Sequence, residues 1–305
     1  MYGLLEVHNP ENATSDIVFV HGLHGDREKT WTKNSVFWPQ KLLPLDITDA
    51  RIFSYGYDAN IAHFWARPAD NRLDTYSNDL FSQLNNRRAE TPAANRPLIF
   101  VAHSLGGLVV ANAMVDSASN SYQSLSSCIR GIAFIGTPHK GSAKAKWAQV
   151  GRQIIAYFGK STNPELAKDL EEKSEKLAKI GDVFPKLLKR RNEEAKGRIE
   201  LVCFFEGQPM NIGMIVDESS ATLSGYESIL LNGNHSEICK FGSRDEENYT
   251  KVVGHLMKWT REFENSGTTE EAKKVTNDAY FYGTNNGLQQ HTNSGTMTLN
   301  FGMRN

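Results

Sequence analysis

Long apolar runs, paired cysteines and a surplus of charge of one sign are all missing from this sequence. No apolar stretch approaches the roughly twenty residues that a helix needs to cross a bilayer, so no membrane-spanning segment is expected. Met1–Pro10 has neither a basic start nor an apolar stretch, so no secretory leader is expected there. Cysteine is scarce: Cys128, Cys203 and Cys239 are odd in number and far apart. They do not make a disulfide framework and fit reduced thiols in a cytoplasmic protein. Charge nearly cancels, at −1 over 305 residues, which removes any general pull toward nucleic acid. The densest basic group, Lys186 with Lys189, Arg190 and Arg191, reads as a solvated helix face. Gly159-Lys160-Ser161-Thr162 ends like a phosphate-binding loop. The first glycine of that motif would fall at Ile154 and no strand precedes it, so no nucleotide is expected.

What is present is a chain that is 39% apolar, enough for one large core or for a catalytic domain with an appendage. Strand-like runs rich in β-branched and aromatic residues occur at Ile17–Val20, Arg51–Tyr55, Leu98–Ala102, Gly131–Ile135, Ile199–Phe205 and Met214–Val216. They alternate with helical patterns at Thr75–Arg88, Leu105–Asp116 and Glu246–Glu264. Alternation of this kind predicts an α/β fold, a mainly parallel sheet with helices on both faces.

Two glycine-containing words sit at the ends of predicted strands. Val101-Ala102-His103-Ser104-Leu105-Gly106-Gly107 follows an apolar run and leads into helix-forming residues. This is the strand–turn–helix setting in which a serine is held exposed as a nucleophile, with small flanking residues because the turn is tight. Ala102 stands at the first small position, where glycine is common. Upstream, Ile17–Val20 ends in His21-Gly22-Leu23-His24-Gly25, a loop able to bring a backbone N–H close to a developing oxyanion. Leu23 and Leu105 are the expected N–H donors. Together the words predict an α/β-hydrolase with Ser104 as nucleophile. Its partners should follow in the order acid, then histidine. His235, in the Gly/Asn-rich stretch Asn232-Gly233-Asn234-His235, lies after the last predicted strand and before the final helix, where the base belongs. Glu206 directly follows the strand ending at Phe205, and Asp217 follows Met214–Val216; topology favours Glu206, with Asp217 as the alternative. Such chemistry needs no metal and no cofactor, and none is expected.

Residues 143–197 are charged and helical, with Leu166, Leu170, Leu177 and Ile180 on one apolar stripe. They read either as a cap over the site or as an insertion packed on the core. The matching words run along most of residues 15–262. They include His21–Gly25, Tyr55-Gly56-Tyr57-Asp58-Ala59, Ala102–Gly107, Gly136-Thr137-Pro138-His139-Lys140-Gly141, Phe204-Phe205-Glu206 and Asn234-His235. On these words the chain resembles the lipase-like serine esterase domains of PGAP-type and SERAC-type proteins, and most of all the fungal SesB-like branch associated with NOD-like receptors. That resemblance implies ester or lipid acyl hydrolysis and adds weight to Glu206.

From Ala279 to Met303 there is no Asp, Glu, Lys, Arg or Pro, and Asn, Gln, Gly and Thr abound. Thr296-Met297-Thr298-Leu299-Asn300-Phe301 alternates with strand period. The words Tyr282–Gln289 and Asn293–Met297 resemble the sigma-type amyloid signalling motif of fungal receptor clusters, the other reading being a disordered polar tail. The organisation expected is thus a catalytic domain over 1–264, a linker over 265–278 and a prion-like motif over 279–305. The resemblance implies a lipid or small ester as substrate, a NOD-like receptor carrying a matching motif as partner, self-assembly through the tail, and peripheral membrane contact on activation. A non-enzymatic effector that keeps the hydrolase fold and is driven by tail assembly is the alternative.

Overall fold

The computed structural model describes residues 1–60, 72–91, 93, 95–117, 121–139, 164–194, 197–210 and 213–275, and the side chains of these except for 164–174 and 264–275. The first part of the expected cap, 143–163, the phosphate-loop look-alike at Gly159–Thr162 and the tail Ala279–Asn305 lie outside the described residues. The chain divides into two compact units, Met1–Asn265 and Ser266–Asn305.

In the first unit the chain runs through β1 (Gly3–His8), β2 (Ser15–Val20), the short hairpin β3 (Thr32–Lys33) and β4 (Val36–Phe37), and the single turns α1 (Trp38–Lys41) and α2 (Leu43–Asp46). It continues through β5 (Ala50–Gly56), α3 (Arg72–Ala89), β6 (Leu98–His103), α4 (Leu105–Ser117), α5 (Gln123–Ser127) and β7 (Ile129–Ile135). Then come α6 (Pro164–Glu193), β8 (Glu200–Glu206), α7 (Glu218–Ala221), β9 (Glu227–Leu231) and α8, which is helical over Glu247–Val275. Among the described residues the main sheet has seven strands in the order β1-β5-β2-β6-β7-β8-β9. Only β1 is antiparallel to its neighbour; β5-β2-β6-β7-β8-β9 are parallel.

The alternation of side chains along each strand explains two cores. Val18 and Val20 of β2, Phe53 and Tyr55 of β5 and Phe100 of β6 face one side, with Leu80 and Leu84 of α3, Val109 and Val110 of α4, and Leu177, Ile180, Phe184 and Leu188 of α6. Ile17, Phe19, Ile52, Ile99 and Val101 face the other, covered by Trp31, Trp38 and the α8 residues Tyr249, Val252, Leu256 and Trp259. Strands buried on both faces read as continuous apolar runs, which is why β2 and β6 stand out in the sequence. At the amino end of the parallel strands, fully buried Asp16 is bound in bidentate fashion by Arg51, at 3.0 Å on each oxygen. Arg88 of α3 and Arg96, just before β6, also donate to it. One carboxylate thereby ties β2, β5, α3 and the entry to β6.

Three expectations change. Met214–Val216 is not a strand; the last strand is β9, which the pattern did not flag, and neither was β1. Ile215 and Val216 are buried, but their N–H groups donate to the Glu206 carboxylate instead of to a neighbouring strand. The final helix passes its expected end at Glu264 and runs to Val275. Of the apolar stripe, Leu177 and Ile180 are buried in the core on the α4 side, so that half of α6 packs on the domain. The side chains of Leu166 and Leu170 fall outside the description.

Candidate active site

Ser104 sits between the last residue of β6 and the first of α4, with φ at 51°, a left-handed value that costs a non-glycine residue about 1–3 kcal/mol. The turn is fixed from both sides: Ser104 N–H donates to Ile135 O (2.9 Å), and Gly107 N–H donates to Ser104 O (3.0 Å). Two glycines are dictated by close approach. A Cβ on Gly106 would run into the carbonyl oxygens of Val20 and His21, so only glycine lets α4 start this near β2. A Cβ on Gly22 would lie 2.7 Å from Ser104 Cβ. The loop after β2 is therefore pressed against the serine.

Glu206 closes β8 at the carboxyl end of the sheet and is fully buried. Its Oε1 accepts from the N–H groups of Ile215 and Val216, the latter at 3.0 Å. Its Oε2 accepts from Nδ1 of His235 at 2.8 Å. His235 is carried in a turn after β9 in which Asn234 accepts, through its side chain, the N–H of Ser236 (3.1 Å). The Asn234 carbonyl accepts those of Glu237 (2.9 Å) and Ile238 (3.1 Å). The asparagine thus organises the turn and aims the imidazole. With its proton on Nδ1, the ring has Nε2 free to accept from Ser104 Oγ at 3.0 Å.

The structure brings Ser104, His235 and Glu206 into one hydrogen-bonded line and leaves Asp217 out of it. Asp217 instead caps α7, its Oδ1 accepting from Ser220 N–H at 2.8 Å. Leu105 opens α4, so its N–H is among those of a helix with no partner inside the helix. Leu23 lines the same cavity as Ser104 and His235. That cavity measures about 230 Å³, with Leu23 and Ile215 among its apolar lining and Lys29 and Lys240 among its polar lining. Cys239 also borders it, but burial pushes its thiol up to about 12, so a thiolate does not compete with the serine.

Three further buried histidines, His21, His103 and His139, are held in the neutral form. Burial lowers His21 to about 4 and His103 and His139 to about 3. His103 Nε2–H donates to the carbonyl of His235 at 2.9 Å, steadying the turn that carries the base. His21 stacks on Tyr57, and its ring bonds to Gly22 O at 2.9 Å. The sequence marked the words containing these residues without giving the side chains a task. Only the local pattern of a histidine beside each glycine-rich turn hinted at one.

The family model described as "Putative serine esterase (DUF676)" matches residues 11–169. The chain belongs to that family. The SERAC-type part of the resemblance holds at the level of that family. Protein SERAC1 of Mus musculus is 29% identical over 277 residues, 82% of this chain and 40% of the relative. Protein SERAC1 of Homo sapiens is 27% identical over 259 residues, 78% and 38% respectively. The chain thus spans about two fifths of the length of these curated relatives. Among solved structures, the Bacillus licheniformis lipase BlEst2 superposes with a TM-score of 0.52 at 17% identity, over 83% of this chain and 97% of that one. At that identity the likeness concerns the α/β-hydrolase fold alone.

Proposed function

We propose that this serine esterase hydrolyses carboxylic esters of a lipid or small acyl substrate through Ser104, His235 and Glu206. The reading rests on one observation above all: the hydrogen-bonded line from Ser104 Oγ through His235 to Glu206, at 3.0 and 2.8 Å, opening on a cavity. His235 Nε2 takes the Ser104 proton as Oγ attacks the ester carbonyl. The new C–O bond places negative charge on the carbonyl oxygen, which the N–H groups of Leu23 and Leu105 stabilise. Glu206 holds the imidazole in the tautomer with Nδ1–H and stabilises its cation. The proton passes to the leaving alkoxide, an acyl-serine forms, and water repeats the sequence to release the acid. A fluorophosphonate should label the protein with the adduct on the peptide containing Ser104, and p-nitrophenyl and glycerolipid esters should be hydrolysed. An adduct on another residue would reject the assignment.

We infer further that Ala279–Asn305 is an assembly motif and that a matching motif on a NOD-like receptor triggers the hydrolase. Support comes from the uncharged, Asn/Gln/Gly/Thr-rich composition and the strand-period alternation of Thr296–Phe301, features of segments that stack in register.

A further inference from the structure

The loop after β5 carries a tyrosine that the chemistry above does not use. Tyr57 is almost fully buried, with its ring stacked flat on His21 at 4.5 Å and an interplanar angle of 3°. Its hydroxyl donates to His21 O at 2.8 Å, and its own N–H donates to His21 Nε2 at 3.3 Å. The second bond decides the tautomer. An Nε2 that accepts carries no proton, so the proton sits on Nδ1, which donates to Gly22 O at 2.9 Å. Burial keeps the ring neutral down to about 4, so this arrangement persists at ordinary pH.

Gly22 O and Leu23 N–H belong to one trans peptide plane and point in opposite directions. Held by His21 Nδ1–H together with Gly25 N–H at 3.0 Å, the carbonyl turns the Leu23 N–H the other way and restricts its rotation. A second tie runs between the same loops, His24 N–H to Ala59 O at 2.8 Å. Tyr57 is itself held from α3, where the Tyr76 ring lies 4.7 Å away and the Tyr76 hydroxyl donates to Asp58 O at 2.7 Å.

We propose that Tyr57 is a positioning residue of the esterase. Through His21 it orients the Gly22–Leu23 peptide so that the Leu23 N–H faces the oxyanion. It touches no reacting atom, and the inference rests on the Ser104 esterase reading. The ring stack and fold should survive Tyr57→Phe, which removes only the bond to His21 O.

The test uses the full chain and a p-nitrophenyl acyl ester. Tyr57→Phe should lower kcat about tenfold with KM within about twofold. His21→Phe, which keeps the stack but loses the bond to Gly22 O, should cost more, up to the roughly 10²–10³ of a lost oxyanion donor. Adding Tyr57→Phe to His21→Phe should cost less than the sum of the two single losses, because the two bonds hold adjacent peptides of one loop. A trifluoromethyl ketone, which forms the oxyanion on Ser104, should lose affinity in parallel with kcat, whereas the corresponding carbinol should not. Full kcat in Tyr57→Phe, additive losses, or equal weakening of ketone and carbinol would overturn the inference while the parent enzyme still turns over. A parent that neither labels nor hydrolyses would overturn the esterase reading and this inference together.

Discussion

At Glu206 a single carboxylate receives two backbone N–H groups and the imidazole Nδ1–H, whereas Asp217 serves a helix end. Glu206→Gln keeps the shape but gives Nδ1–H no anion to face. It should lower the rate by roughly two to four decades. Asp217→Asn should stay within a few-fold of the parent in the same ester assay; the reverse order would move the acid. His139 makes a second residue-level test. Its Nε2 is buried with no hydrogen-bond partner among the described residues, and burial lowers the ring to about 3. Between about pH 6.5 and that value the unfolded chain binds a proton that the folded one does not. Its contribution is therefore complete above about pH 6.5 and is lost as pH falls, at about 1.4 kcal/mol per unit. His21 and His103 act in the same direction. Denaturant titrations from pH 7.5 to 4.5 should show a shallower acid limb for His139→Phe by that amount, with little change at pH 7. An unchanged limb would mean that the ring is not protonated on unfolding.

The elements separate what was legible from what was not. β2, β5, β6, β7 and β8 are central, apolar on both faces, and their sequences announce them. β1 and β9 are edges with half-buried patterns, Gly-Leu-Leu-Glu-Val-His and Glu-Ser-Ile-Leu-Leu, which neither alternate cleanly nor run apolar. Met214–Val216 misled for the opposite reason: its buried side chains look like a strand, but its N–H groups are consumed by Glu206. Glu206 still closes the penultimate strand, because β9 takes the last-strand position next to β8. The pairing of Tyr57 with His21 was not legible, since it joins loops that follow two separate strands. At this scale, Asp16→Asn would leave three guanidinium groups on a buried amide and should cost about 3–5 kcal/mol by denaturant melting. Leu177→Ser with Ile180→Ser should likewise unfold the domain more readily and leave chain-length preference unchanged. A shifted preference at constant stability would restore a gating role to this half of α6.

For the whole molecule, the hydrolase and the polar C-terminal stretch make separable demands. Deleting residues 276–305 removes no strand of the described sheet and neither the serine, the histidine nor the glutamate, so esterase activity should persist. A peptide of Ala279–Asn305 should form fibrils with spacings of about 4.7 and 10 Å, and Lys at Met297 and Leu299 should stop growth by placing charge in every layer. A peptide that stays monomeric with seeds present would remove the assembly role. The central claim lies elsewhere, in Ser104. Ser104→Ala retains a Cβ in the same left-handed backbone, so the strain is unchanged and the melting temperature should stay within about 2 °C of the parent. Ester hydrolysis and fluorophosphonate labelling should both vanish. Labelling or turnover that survives in folded Ser104→Ala protein would contradict the account.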